Sequence, residues 1–108
     1  MSYNIKSIAV FERQAKRLLK KYPSLKKELF ELVQSLKQEP EQGTAIGNAC
    51  YKIRLAIKSK GKGKSGGARV ITHLQVLQKN IFLVSIYDKA EQDNIADKDL
   101  TEFIKEID

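Results

Sequence analysis

The chain has little of what a metal centre, a disulfide framework or a membrane span requires. Its 108 residues include one cysteine and one histidine, so we expect no internal disulfide and no metal site. No apolar run approaches the roughly 18 residues that cross a bilayer, and the N-terminus lacks the apolar core of a secretory signal. We therefore expect a cytoplasmic protein with one domain over residues 1–108, no cofactor and no membrane partner.

Acidic residues are absent from one stretch of the chain, residues 52–69. Of the 20 Lys+Arg in the chain, seven lie in this stretch, which leaves 13 against 13 Asp+Glu elsewhere, so the whole net charge of +7 is located here. The seven are Lys52, Arg54, Lys58, Lys60, Lys62, Lys64 and Arg69. A localised excess of this kind favours a polyanionic partner. The alternative is that the lysines only keep an exposed hairpin soluble.

The first half of the chain has helical periodicity. Residues 4–10 read as a short strand, and two amphipathic helices follow, separated by Pro23. Ser24 is expected to cap the second helix, and Pro40 with Gly43 ends it.

The second half alternates with the period of β-strands. Residues 50–57, 69–76 and 82–89 are predicted to form an antiparallel meander with one apolar face toward the helices, and a turn is expected at Lys79-Asn80. A closing amphipathic helix, capped by Asp97, follows. The predicted fold class is α+β in the order β-α-α-β-β-β-α, with a small antiparallel sheet, two N-terminal helices packed on one face and a C-terminal helix.

The other face of the predicted sheet collects cations around a phenol. Arg54, Lys58, Arg69 and Tyr87 fall there by strand parity, beside the glycine- and lysine-rich hairpin. The alternative interpretation is that this face of the sheet is the solvated outer face of an ordinary two-layer fold. A phosphate-binding P-loop is excluded, because the hairpin joins two strands and lacks the first glycine of that motif. Cys50 is interpreted as a small strand residue, since no histidine lies near it in this layout.

The segments YKIRLAIKSKGKGKSGGARVI and IFLVSIYDKAEQDNIADKDL, in this order of elements, resemble the RelE/ParE superfamily of toxins from toxin–antitoxin pairs. They are similar to the RelE/HigB-type branch, and the resemblance extends over essentially the whole chain. The resemblance implies an mRNA interferase, an endoribonuclease that inhibits translation. Its partners would be messenger RNA in the 30S decoding site of the ribosome and a cognate antitoxin.

Such a nuclease would work without a metal, by attack of the RNA 2′-hydroxyl on the neighbouring phosphate. Arg69 is predicted to hold the phosphate oxygens, and Tyr87 to transfer a proton with its pKa lowered by Arg54 and Lys58. The predicted RNA-binding residues are Lys60, Lys62, Lys64 and Lys89.

The chain departs from the best-known RelE-type pattern at its C-terminal end. Lys89 stands where an arginine is expected, and the last helix has neither arginine nor tyrosine. Two alternatives therefore remain: a ParE-like inhibitor of DNA gyrase without nuclease activity, and a non-enzymatic RNA- or ribosome-binding module.

Overall fold

A mixed sheet forms the centre of the protein. The computed structural model describes residues 2–61, 63 and 66–107, and within them the sheet has five strands in the order β1-β5-β4-β3-β2. The strands are β1 (Asn4–Ser7), β2 (Thr44–Gly47), β3 (Cys50–Leu55), β4 (Ala68–Gln75) and β5 (Asn80–Asp88). The helices are α1 (Ala9–Lys21), α2 (Leu25–Gln38) and α3 (Asp97–Ile104), with a short 3-10 helix at Lys58–Lys60. This architecture confirms the predicted α+β class with two N-terminal helices and a C-terminal helix.

The two N-terminal helices form where apolar side chains recur at helical spacing. Leu18 of α1 is fully buried, as are Leu25 and Leu36 of α2. The turn between the helices contains Pro23, which cannot continue a helix, as predicted. The first strand is shorter than predicted, because β1 stops at Ser7 and α1 begins at Ala9.

The predicted caps are corrected at two helices. Ser24 does precede α2, but its hydroxyl bonds the Glu28 carboxylate at 3.1 Å and the hydroxyl of Ser59 at 2.9 Å instead of capping the helix. At the last helix the N-cap is Ala96, and Asp97 is the first helical residue. A carboxylate in that first turn still favours the helix, since it faces the positive end of the helix dipole.

Strand β2 is absent from the sequence-based prediction. Three of its four residues pair antiparallel with β3, with a register shift at Ile46. A two-residue turn, Asn48-Ala49, joins the strands, and both turn residues have positive φ (56° and 59°). That conformation suits a tight hairpin. A strand this short, with one apolar side chain at Ile46, has too few residues to show alternation.

The sheet is mixed, whereas an antiparallel sheet was predicted. The three strands of the predicted meander are antiparallel, as expected, but β1 lies parallel to β5 at one edge. The predicted turn is present, with Lys79 at φ 54° and β5 beginning at Asn80.

A register shift between Ile71 and Thr72 alters which side chains of β5 share a face. Beyond it, Thr72 pairs with Leu83, and Phe82 pairs with His73 on the face predicted to be polar. The prediction that Phe82 lies on the apolar face is therefore wrong, because a bulge inverts strand parity. Gln14 of α1 accepts hydrogen bonds at this irregularity, from Ser85 Oγ and the Ile86 backbone N–H, both at 2.9 Å.

No helix in the described part of the chain is long and apolar enough to span a bilayer.

Candidate active site

Three of the predicted residues lie side by side across three neighbouring strands. Arg54 of β3 pairs in register with Arg69 of β4, and Arg69 pairs in register with Tyr87 of β5. Residues opposite each other in paired strands point to the same face of a sheet, so the three side chains form one row. Arg54 is exposed at the end of the row nearest β2, while Arg69 and Tyr87 are buried.

Tyr87 has an environment that keeps its phenol protonated. The side chain is buried, and its hydroxyl has no hydrogen-bond partner among residues 2–61, 63 and 66–107. Burial raises the pKa of Tyr87, Arg69 acts in the opposite direction, and Asp93 raises it further. The predicted lowering of this pKa by clustered cations is therefore wrong, because desolvation of the phenolate outweighs the nearby guanidinium.

Arg69 is held close to its own strand. One guanidinium nitrogen donates to the Ala68 carbonyl oxygen at 3.2 Å, and the residue is 5% exposed. A planar guanidinium that is nearly removed from water can bind a phosphate through two parallel hydrogen bonds. Its position next to Tyr87 gives one anion-binding group and one proton donor on a shared face.

The chain after β5 brings carboxylate and amide groups to the same region. Lys89, directly after β5, forms an ion pair with Asp93. Lys52 donates to Asn94 Oδ1 at 3.3 Å, and the pKa of Asp93 is lowered by Lys89 first, with smaller contributions from Lys52 and Arg69. Asp93 therefore lies within the electrostatic field of Lys89, Lys52 and Arg69.

Lys52 and Asp93 are two residues that sequence reasoning left out of the site. Lys52 has the same strand parity as Arg54, which could have identified it. The placement of Asp93 follows a loop whose path the sequence pattern does not predict.

The basic loop is the segment 56–67 between β3 and β4. Its start is fastened to the N-terminal end of α2. Lys58 was predicted on a strand face, but β3 ends at Leu55 and Lys58 opens the 3-10 helix. Its backbone N–H donates to Glu28 Oε2 at 2.7 Å. The next residue, Ser59, donates its N–H to Ser24 Oγ at 2.9 Å. Lys58 remains exposed and, with Arg54, borders a groove of about 800 Å³ between α2 and β3.

Lys60 points inward instead of extending from a hairpin tip. Its ammonium group forms an ion pair with Asp88, and its side chain is 10% exposed. Burial alone would raise the pKa of Asp88, but hydrogen bonds from Lys60, Tyr22 and the Ala90 N–H together lower it to about 2. Asp88 is a third residue missed from the sequence, where an acid at the end of an apolar strand was the available signal.

The far end of the basic loop returns close to β3 and β5. The Lys89 backbone N–H donates to the Gly67 carbonyl at 3.0 Å. A Cβ at Gly67 would lie 2.1 Å from the Leu55 carbonyl oxygen, so this approach requires glycine. Lys62 and Lys64, the remaining predicted RNA-binding residues, lie outside the described residues.

Cys50 has a histidine neighbour that the sequence layout did not predict. The two residues pair across β3 and β4, with Cys50 Sγ 3.6 Å from His73 Nδ1. Burial raises the pKa of the Cys50 thiol to about 11, which leaves it protonated at neutral pH. The interpretation of Cys50 as a structural residue therefore rests on its burial, not on the distance to a histidine.

The site offers cations and a protonated phenol. Among the described residues no group of three or more His, Cys, Asp or Glu side chains is placed to hold a metal ion. The chemistry that this set favours is binding of a phosphodiester with proton donation to a leaving oxygen.

Comparisons with known proteins agree with this fold. The family model described as RelE toxin of the RelE/RelB toxin–antitoxin system matches residues 8–107. Among solved structures, an E. coli toxin RelE mutant in the free state covers 99% of both chains at 19% identity, with a TM-score of 0.63. The same mutant in complex with an antitoxin RelBc peptide covers 99% of both chains at 21% identity, with a TM-score of 0.51.

No curated protein matches the chain. The family model nevertheless spans nearly all of it, including the row of Arg54, Arg69 and Tyr87. The chain belongs to the RelE toxin family of RelE/RelB toxin–antitoxin systems.

Proposed function

We propose that this toxin is an endoribonuclease that cleaves messenger RNA on the ribosome and so stops translation. The observation that carries the proposal is the row of Arg54, Arg69 and Tyr87 across three strands, next to the basic loop. Nothing in the row is a strong nucleophile, so the attacking group would come from the RNA itself, as its 2′-hydroxyl.

The proposed reaction uses the site for charge binding and for protonation of the leaving oxygen. The 2′-oxygen forms a bond to phosphorus, the bond from phosphorus to the 5′-oxygen breaks, and a 2′,3′-cyclic phosphate remains. The 2′ proton passes to water, and the 5′-oxygen takes a proton from the acid of the site. Arg69 would bind the non-bridging oxygens as negative charge develops on them, with Arg54 and Lys58 adding positive charge at the exposed side.

Tyr87 is proposed as the acid that protonates the leaving 5′-oxygen. Both Tyr87 and Arg69 are buried in the free toxin, so the proposal requires that binding of the ribosome-bound RNA expose them. A base must be deprotonated before it acts, and the raised pKa of Tyr87 opposes that at neutral pH. The same raised pKa keeps the proton available for donation. Solvent then restores the proton to the phenolate, which Arg69 stabilises in the interval.

A ribosome-bound substrate suits this arrangement. The row contains no paired histidine and depends on hydrogen bonds and charge, so the orientation of the RNA backbone would have to come from elsewhere. The ribosomal decoding site supplies an ordered message. Lys58, Lys62, Lys64 and Lys89 are proposed to contact its backbone, and the toxin is proposed to act in the cytoplasm.

The proposed inhibitor is a cognate antitoxin. The related E. coli RelE mutant has been solved in complex with an antitoxin RelBc peptide. We propose that a corresponding antitoxin binds this toxin, and a small helix-turn-helix protein encoded beside the gene would support the pairing.

The test compares programmed ribosomes with naked RNA under single-turnover conditions. The wild-type toxin should cleave ribosome-bound message rapidly and naked RNA barely. Arg69→Ala should reduce the rate at saturating ribosome by about a hundredfold, since it removes a donor to the developing charge. Arg13→Ala, which removes the same charge from an exposed position on α1, is the matched control and should cleave normally.

Three results would contradict the proposal. Normal cleavage by Arg69→Ala at saturating ribosome would remove Arg69 from the chemical step. Intact messages after induction in cells, together with gyrase-linked breaks in DNA, would favour the ParE-like alternative. Ribosome binding without cleavage would favour the non-enzymatic module.

A further inference from the structure

One buried carboxylate, Asp88, joins three parts of the molecule around the candidate site. Tyr22, just after α1, donates its hydroxyl to Asp88 Oδ2 at 2.5 Å. Lys60, at the end of the 3-10 helix, forms an ion pair with Oδ1, and the Ala90 N–H donates to the same oxygen at 2.9 Å. Asp88 itself is 0% exposed, so RNA cannot contact it.

Asp88 lies next to the row both along the chain and across the sheet. Tyr87 precedes it on β5, and its cross-strand partner Ala68 precedes Arg69 on β4. The backbone of the next residue, Lys89, binds the Gly67 carbonyl at the far end of the basic loop. Both ends of the loop are thus attached within one residue of Asp88: one through the side chain of Lys60, the other through this backbone hydrogen bond.

We infer that Asp88 is a positioning residue for the proposed nuclease reaction. It holds the stem of the basic loop, which is the 3-10 helix Lys58–Lys60, against the end of β5 that carries Tyr87. In this way it keeps the exposed cation Lys58 close to the row. The inference rests on the proposed function. It also reassigns Lys60, whose ammonium group serves to attach the loop and not to bind RNA.

A role in stability alone must be separated from positioning, because removing one partner of a buried ion pair is destabilising in general. The two roles differ in what they do to folded molecules. A stability role lowers the unfolding temperature and leaves the rate of bound, folded enzyme unchanged. A positioning role lowers that rate even where the fold is intact.

The experiment uses Asp88→Asn with Glu91→Gln as the matched control. Glu91 also links the turn after β5 to α1, through Arg17 and Lys21, but it is exposed and has no bond to the described residues of the loop. Asp88→Asn should lower the single-turnover rate at saturating ribosome at least tenfold, with less than a threefold change in ribosome affinity. Glu91→Gln should match the wild type in both, and Lys60→Arg, which keeps the ion pair, should retain the rate.

Amide hydrogen exchange of the toxin alone provides a readout that does not need activity. The Gly61 N–H donates to the Lys58 carbonyl at 2.9 Å and reports on the loop stem, and the Lys89 N–H reports on the far end. Both amides should exchange faster in Asp88→Asn than in Glu91→Gln. If wild-type toxin fails to cleave, the proposed function falls, while unchanged exchange at these amides would overturn the role of Asp88 by itself.

Further outcomes decide the inference. A normal rate in Asp88→Asn overturns it, and so does tighter ribosome binding, which would mean that Asp88 masks an RNA-binding Lys60. If Asp88→Asn unfolds at the assay temperature, adding Lys60→Met removes the unpaired buried charge and restores the fold. A low rate in that double variant, at a wild-type unfolding temperature, supports positioning, and a normal rate overturns it.

Discussion

Gly67 gives a stability prediction whose size follows from the packing around one atom. The glycine lies where the basic loop rejoins the sheet, and a Cβ there would be 2.1 Å from the Leu55 carbonyl oxygen and 3.1 Å from both Ala56 Cα and Ile57 N. All three are backbone atoms, which cannot rotate away as a flexible side chain would. An ordinary van der Waals contact is about 3.4 Å long. In Gly67→Ala the strands β3 and β4 must therefore separate by more than about 1 Å at this point.

The expected loss of stability is about 1–2 kcal/mol. Forcing an extra methyl group into a packed site costs about 1–3 kcal/mol. Replacing glycine by alanine stabilises the folded state by about 0.4–1 kcal/mol, because the unfolded chain becomes less flexible. For a domain of about 100 residues each kcal/mol lowers the unfolding temperature by roughly 4 °C, so a fall of about 4–8 °C is expected.

Gly63→Ala is the matched control from the same loop. A Cβ at Gly63 meets nothing within 4 Å among the described atoms, and the φ of both glycines is one that alanine adopts readily. The two variants should be compared by thermal unfolding under identical conditions, with circular dichroism as the probe. Gly63→Ala should be neutral or slightly more stable than wild type. Equal unfolding temperatures for the two variants would show that the approach of Gly67 to Leu55 is looser than described.

Three further predictions concern charge. Asp93→Asn should strengthen ribosome association about fivefold, because it releases Lys89 from its ion pair and removes an anion beside the row. Binding titrations measure this association, and weaker association would contradict the prediction. Combined replacement of Lys58, Lys62 and Lys64 by alanine should reduce the slope of log affinity against log salt by about 2, at roughly 0.7 per backbone contact, and an unchanged slope would exclude them from RNA binding. Because the pKa of Asp88 is lowered in the fold, its ionised carboxylate stabilises the folded state above the unfolded pKa of 3.8. This stabilisation is lost as pH falls through about 2. Acid unfolding between these values should therefore be shallower in Asp88→Asn, and identical profiles would show that Asp88 is not ionised in the fold.

The row of the candidate site could be predicted from strand parity because of where the bulge lies. The register shift lies between Ile71 and Thr72 of β4. Arg69 comes before the shift on β4, and its partner Tyr87 lies on the same side of it on β5, where pairing is regular. Simple alternation therefore places them correctly. At Phe82, beyond the shift, the same rule fails, since one extra residue in a strand reverses the face of everything after it.

The attachments of the basic loop could not be predicted in the same way. Lys60 and Asp88 are separated by 28 positions, and the hydrogen bond from Tyr22 to Asp88 spans 66. No local period connects residues so far apart, and a lysine beside a glycine in a run of lysines is typical of a solvated loop. Only the path of the chain brings the ammonium group, the carboxylate and the phenol into one buried cluster.

The protonation state of Tyr87 shows why a count of charges is insufficient. The sequence indicates how many cations are near the phenol, and each cation favours the phenolate. It does not indicate how far the phenol is removed from water, and that effect is the largest contribution to its pKa. Since desolvation outweighs Arg69, the proposed reaction gives the two residues complementary roles: a guanidinium to bind the charge developing on phosphorus, and a phenol that still holds the proton required by the leaving oxygen. Clustered cations that lowered the pKa of the tyrosine would have predicted a base, whereas burial favours an acid at the same position.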